Sequence, residues 1–314
     1  MRMLALALLI LVLSSYPLLS SAQEAERPIV VATTTVIGSV VRDLAGDLVD
    51  VRVIASPAIC PAHYDIRPSD VEAVARAEVI FYHGFEPWIE RLVEAAASKA
   101  VMVKISGPWN TPKGLKLYYE EVAKSLERHL GLNLKSRLER CLKAIDIVSQ
   151  QLLEASREHN FDEVAVVCMQ WQKPFLEYLG FRIIATYPPP EKLSARQIKE
   201  LISTIRKEGA ALIIDNLQSG TSVGETLAEE TGAIHVVLSN FPGVVPEANN
   251  VTSLYKHNLR RLIVAVTIYR RAAKLLSNYN ALKQQVMMYE VATYSLAAVA
   301  LSELAVLLYI RRRR

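Results

Sequence analysis

ASPAICPAHYDIRPSDVEAVARAEVIFYHGFEPWIERLV, Ala55 to Val93, packs a strand end, a His-bearing loop, a helix start and a second strand into one segment. Ile54 closes an apolar run, and Pro61-Ala62-His63-Tyr64 forms the loop. Pro68-Ser69 opens a helix, with Ser69 the expected N-cap, and Val79 to Tyr82 reads as a buried strand. Open α/β sheets place ligand groups outside the carboxyl ends of their strands, which is where His63 falls. The segment predicts a ligand cleft.

Working outward, strands and helices alternate twice. Ile29 to Ala32, Val51 to Ala55, Val79 to Tyr82 and Val101 to Ile105 are short apolar or β-branched runs. Helical patterns near 36–45, 69–76 and 86–98 separate them. Val164 to Val167, Arg182 to Thr186, Leu212 to Ile214 and Ile234 to Leu238 repeat the scheme, with helices near 172–179, 194–208 and 221–231. The fold class expected is α/β: two similar lobes, each with a mostly parallel four-stranded sheet. Between them lies a helical tract from Pro112 to His159. Leu134, Leu138, Leu142, Ile145, Val148 and Leu152 form one stripe on a spine helix of about 25 residues, close to 37 Å long.

The order His63, aromatic, acid, Arg67-Pro68-Ser69-Asp70, a helix, a strand ending in Tyr82-His83-Gly84, then Glu86-Pro87-Trp88 closely resembles the zinc and manganese solute-binding proteins of ABC importers. The resemblance covers essentially residues 28–278, including a closing helix near Leu254 to Leu276. It implies two lobes on a stiff spine, a metal ion as the transported ligand, and a permease with its ATPase subunit as partners. In the family four side chains hold the ion. The first carries over to His63. The second position, in Ser106-Gly107-Pro108-Trp109-Asn110-Thr111-Pro112, falls on Gly107; the third falls on Met169; the fourth falls on Ser239 or Asn240. A Glu that normally precedes Pro-Gln falls at Asn216, beside Asp215.

His63 with Gly, Met and Ser supplies neither a zinc nor a manganese donor set. The loops do hold Cys60, His63, His83, Cys168, Met169 and Asp215. Thiolate, thioether and imidazole together suit a soft ion, copper(I) first and zinc second. Simpler readings stand beside this one. Cys60 and Cys168 can form an interlobe disulfide with Cys141 left on the spine, Met169 can be packing, and His83 can be a strand-end His bonded to backbone. His129, His159 and His257 read as solvated helix residues, and His235 as core. A different class keeps the fold and drops the metal: Thr33, Thr34, Thr35, Arg67, Trp109, Trp171, Ser239 and Asn240 would line a pocket for a small anion or chelate. A surface, adhesin-like role is a third. Nucleophile-elbow, dinucleotide and P-loop motifs are missing from the sequence, so no enzymatic activity is expected.

With 314 residues the chain can bury two medium cores. Of its net charge of +4, the terminal Arg311 to Arg314 supply four positive charges, so the body is near neutral and nucleic acid is not an expected partner. Arg2, the apolar run Leu4 to Leu13 and Ser20-Ser21-Ala22 read as a secretory signal cleaved after Ala22, or as an uncleaved anchor. Val291 to Ile310, about 20 apolar residues, is long enough to cross a bilayer. Arg311 to Arg314 would then face the cytoplasm and the body the outside. Glu303 is the one charged residue in that run. The expected organisation is signal 1–22, first lobe 23–111, spine 112–159, second lobe 160–285, and anchor with Arg tail 286–314.

Overall fold

The computed structural model describes residues 27–313. The expected signal segment and Arg314 lie outside the described residues.

The first sheet has the order β2-β1-β3-β4, from β1 (Ile29–Ala32), β2 (Asp50–Val53), β3 (Ala77–Tyr82) and β4 (Val101–Lys104), all parallel. Its helices are α1 (Thr35–Ala45), α2 (Pro68–Ala75) and α3 (Ile89–Ala95). The second sheet repeats this as β6-β5-β7-β8, from β5 (Ala165–Met169), β6 (Arg182–Tyr187), β7 (Leu212–Asn216) and β8 (Ile234–Leu238), again parallel. Helices α6 (Lys173–Tyr178), α7 (Ala195–Glu208) and α8 (Ser222–Thr231) cover it. In both sheets the winding reverses beside the first strand, between β1 and β3 and between β5 and β7. Those two switch points are where doubly wound sheets open a crevice.

Both faces of each sheet are buried, which is why the strands are continuous apolar runs. In β1, Val30 and Ala32 enter the core that runs through the molecule, while Ile29 and Val31 pack under α2 and α3. In β5, Val166 and Cys168 face that same central core, and Val167 and Met169 face α7 and α8. The central core is continuous across the lobes: Val30, Val79, Tyr118, Leu152, Val166, Ile214 and Leu262 belong to one cluster.

The helical tract 112–159 is two helices, of which the second has the length expected of the spine. α4 (Pro112–Leu130) starts at Thr111, whose hydroxyl accepts the Gly114 amide at 3.2 Å, and stops at Gly131, a left-handed residue at φ 66°. Such a residue costs glycine nothing and ends a helix. After it, α5 (Lys135–Glu158) runs 24 residues and buries Ile145, Val148 and Leu152. α5 alone is the spine, and α4 packs on α1 as part of the first lobe. Helix α2 also starts one residue earlier than expected. Ser69 does not cap it; the Asp70 carboxylate accepts the Arg67 amide at 2.8 Å instead.

The closing helix and the expected span are one element, α9 (Val251–Arg313), of 63 residues. Val251, Leu254, Tyr255, Asn258, Leu259, Leu262, Ala265 and Val266 seat it on the body. From Arg271 onward every described residue is exposed. Its apolar stretch is long enough to cross a membrane.

Candidate functional site

The carboxyl ends of both sheets meet at the junction between the lobes. From the first lobe come Thr33-Thr34 after β1, His83 to Trp88 after β3, the loop through Pro57 and His63, and the segment Ser106 to Thr111. From the second come Gln170 to Gln172 after β5, Asn216 to Thr221 after β7, and Ser239 to Phe241 after β8.

His83 lies at the first switch point, buried. Its Nε2 is 2.7 Å from the Thr34 hydroxyl and its Nδ1 is 3.1 Å from the Tyr118 hydroxyl. Tyr118 donates to the Gly107 carbonyl at 3.2 Å, so Nδ1 carries the proton toward Tyr118 and Nε2 accepts from Thr34. Phe85 stacks on the ring at 4.9 Å and Trp109 leans on it at 4.7 Å. Burial pushes the imidazole down to about 4, against a smaller opposing pull from Glu86. Glu86 itself is buried and fully engaged. Its oxygens accept the Thr33 hydroxyl at 2.5 Å and the backbone amides of His83, Gly84 and Phe85 at 3.0, 2.7 and 3.0 Å. This cluster sets the loop after β3 and turns Trp109 toward the other lobe.

Hydrogen bonds between described residues then join these loops across the junction directly. Trp109 Nε1 donates to the Asn240 carbonyl at 2.9 Å, Asn110 Nδ2 to the Trp171 carbonyl at 2.8 Å, Gln218 Nε2 to the Pro57 carbonyl at 2.7 Å, and the Tyr255 hydroxyl to the Trp109 carbonyl at 2.5 Å. Trp109 also packs on Phe241 at 5.8 Å. Asn240 Nδ2 donates to the Trp171 carbonyl at 3.1 Å, and Gln218 Nε2 also donates to the Ser239 hydroxyl at 2.9 Å. Against this dense pairing, three buried side-chain atoms of the second lobe lack a partner: Gln172 Oε1, Asn216 Nδ2 and Asn240 Oδ1. They follow β5, end β7 and follow β8, around the second switch point. A buried polar atom without a partner costs about 1–3 kcal/mol, so such a group marks a place for a ligand or an ordered water.

The soft-metal set expected from the sequence does not assemble. Cys60 and His63 share one loop, where the His63 amide donates to the Cys60 carbonyl at 2.9 Å and the His63 side chain is exposed. His83 spends both ring nitrogens on hydroxyls. Cys168 and Met169 are both fully buried within β5, which runs two residues further than expected, and neighbours in a strand point to opposite faces. They cannot share an ion. Burial pushes the Cys168 thiol up to about 12, and the Met169 thioether accepts the Trp171 amide at 3.3 Å. Asp215 faces away from the junction, accepting the Tyr187 hydroxyl at 2.6 Å and pairing with His235 Nε2 at 2.8 Å. Among the described residues no three His, Cys, Asp or Glu side chains gather as a metal-holding group. All three cysteines are free, so the interlobe disulfide is not formed.

The expected anion pocket is likewise dispersed. Thr33 and Thr34 are bonded to Glu86 and His83, and the buried Glu86 carboxylate repels an anion there. The Thr35 hydroxyl is left without a partner, and Arg67 lies exposed, its guanidinium 5.8 Å from the Tyr64 ring. Trp109, Trp171, Ser239 and Asn240 do meet, but as the lobe-to-lobe contact itself. Glu86, Tyr118, Gln172 and Gln218 shape the junction and went unread as site residues; Glu86 stood in the motif quoted above, and the others carry no sequence signal beyond their place after a strand or on α4.

The sequence profile of a family described as the periplasmic component A of the zinc-uptake complex, ZnuA, matches residues 30–265. A manganese-binding lipoprotein, MntA, of Halalkalibacterium halodurans is 23% identical over 261 residues, 82% of this chain and 77% of that protein. An iron ABC transporter substrate-binding lipoprotein, MtsA, of Streptococcus pyogenes is 30% identical over 116 residues, 34% of this chain and 36% of that protein. Among solved structures, the periplasmic zinc-binding protein TroA of Treponema pallidum superposes with a TM-score of 0.67 at 16% identity, covering 76% of this chain and 99% of that one. With three quarters of its length under one profile and the twin-lobed fold to match, the chain belongs to the ZnuA family.

Proposed function

We propose that the protein is the solute-binding component of a metal-type ABC importer, a carrier and not a catalyst. It takes a divalent first-row transition-metal ion at the lobe junction and passes it to a permease driven by an ATPase subunit. The observation that supports this reading best is the meeting of two switch points, one per lobe, in a chain whose family profile runs through both. The family's description as a zinc-uptake component and the relatives named for manganese binding and iron transport support the solute class.

The donors differ from the family's. His63 is the one family-position imidazole retained, and it is exposed on its loop. The free oxygens Gln172 Oε1 and Asn240 Oδ1 are neutral amide carbonyls, hard donors. Were an ion to draw the His63 imidazole and these oxygens together, that set would suit manganese, iron or zinc better than copper(I). The body is held outside the membrane by α9, whose residues 291–310 span the bilayer with the following arginines in the cytoplasm.

The test is metal analysis of the full chain in detergent, stripped and then offered manganese(II), iron(II), zinc(II) and copper(I) in turn under reducing conditions. One retained equivalent of a hard or borderline ion, lost in His63→Ala, is the expected outcome. His63 is exposed, so that variant keeps its fold. Retention of copper(I) alone would overturn the hard-donor reading, and no retained ion of any kind would remove the metal.

A further inference from the structure

Residues 271–290 of α9 stand clear of the body and precede the membrane span, a stalk of about 30 Å. A stalk in water needs a polar surface, and one face of this one is apolar. Leu275, Tyr279, Leu282, Val286 and Tyr289 are between 49 and 74% exposed.

These residues are ordered along the helix. Ile268, Ala272, Leu275, Tyr279, Leu282, Val286 and Tyr289 recur at alternating steps of four and three. That is the a/d seam of a coiled coil, and its 3.5-residue period keeps one face on a partner only if the two helices supercoil. The same phase runs on without a break through Thr293, Leu296, Ala300, Glu303, Leu307 and Ile310. Glu303, the single charged residue of the span, therefore lies on the seam. Intramembrane carboxyls face a protein partner because facing lipid is costly. The seam in water and the carboxyl in the bilayer are separate observations, and they select the same face.

Which partner fits follows from the geometry. The occupant must offer an apolar helix face both above and within the membrane and cross the boundary at the same height. A second copy does so by construction, and the span orients every copy alike, so the pairing is parallel and in register. The flanking positions permit it: across a parallel pair Arg271 meets Leu276, Asn278 meets Lys283 and Gln285 meets Glu290, with no like charges opposed. At body level Val264 and Ile268 are also exposed on α9, so the body leaves this side of the helix open.

We propose that α9 pairs with α9 of a second copy in a parallel coiled coil through the stalk and span, the two Glu303 carboxyls facing each other in the bilayer. The assembly carries two solute-binding bodies on one stalk. This rests on the reading of residues 291–310 as a membrane span.

The test uses the full chain in native membranes, with Cys60 and Cys141 replaced by Ser. Leu282→Cys, on the seam, is compared with Ser277→Cys, half a turn away. Mild oxidation is expected to convert most of the Leu282→Cys chain to a disulfide-linked dimer and at least tenfold less of Ser277→Cys. In detergent, the unmodified chain is expected at dimer mass and Leu275→Lys/Leu282→Lys at monomer mass. Equal cross-linking at both positions, or a monomeric unmodified chain, overturns the proposal, as does a Leu282→Cys adduct formed only with a foreign polypeptide such as the permease. Alkaline extraction of the same membranes reads the span separately. A chain that is released loses both readings, and a chain that stays but is monomeric loses the dimer alone.

Discussion

His83 is neutral in the fold because no water reaches it, and this makes stability depend on pH. Its folded value lies near 4 while the unfolded imidazole titrates near 6.5, so below 6.5 the unfolded chain binds the extra proton. Stability from this group is whole above about pH 6.5 and is lost as pH falls toward 4. Melting temperature measured between pH 4 and 7 should therefore climb with pH, and the climb should shrink in His83→Gln, which has no such proton to bind. Gly107 stands where the resemblance puts the family's second ligand. It sits at φ 125°, a conformation open to glycine and strained for any side chain. Gly107→His is expected to cost about 1–3 kcal/mol in a denaturant melt and to add no metal affinity; a variant as stable as the parent would remove the strain argument. At this scale the sequence was partly legible. His63 and Trp109 could be placed from their motifs, because each sits in a short segment of fixed order. Cys168 and Met169 could not, since one strand end misplaced by two residues turns two core side chains into apparent loop donors. Amide side chains such as Gln172 and Gln218 have no spacing rule that would reveal them.

Among the elements, the strands were the most readable, since a parallel sheet buried on both faces needs uninterrupted apolar runs and these runs are short and separated by helical periodicity. The break between α4 and α5 is marked by Gly131 and the Leu stripe gave the second helix its length, but only packing shows that α4 belongs to the first lobe. The segment Ser106 to Thr111 makes most of the contacts that join the lobes at the junction. Trp109 reaches across to Asn240 and Phe241, Asn110 reaches to Trp171, and Tyr255 holds the Trp109 carbonyl. Trp109→Ala removes the aromatic wedge and one crossing hydrogen bond together, and about 2–4 kcal/mol of stability is expected to go with them. The sharper readout is local. Hydrogen exchange should accelerate in residues 54–64 and 216–221, on opposite sides of the junction, while β1 and β5 keep their protection. Uniform acceleration would mean that the loop supports the whole fold and does not latch the lobes.

The whole molecule divides differently from its sequence pattern. Two sheets repeat one topology, yet Val30 and Tyr118 of the first lobe share a single core cluster with Leu152 of α5, Val166 and Ile214 of the second lobe and Leu262 of α9. A core that is continuous cannot come apart in halves, so thermal unfolding is expected as one transition, not two. Residues 271–313 of α9 stand outside that core. The burial of α9 ends with Val266, and Arg270 makes its last contacts with the body, donating to the Asn160 carbonyl at 3.1 Å and lying 3.8 Å from Glu163. Past that point the helix has no body to lean on. If residues 291–310 anchor the protein as proposed, a chain cut after Gln285 should leave the membrane fraction, and in either case it should melt at the same temperature as the full-length body in detergent. The stalk left on this fragment keeps part of the seam without the bilayer to align it, and isolated helices of this length are marginal in water. Beyond the helix removed by the cut, its helicity by circular dichroism should fall by about the share of residues 271–285, and this further fall should reverse as protein concentration rises if the seam pairs. Loss of the melting transition on truncation would instead show that α9 stabilises the body along its full length.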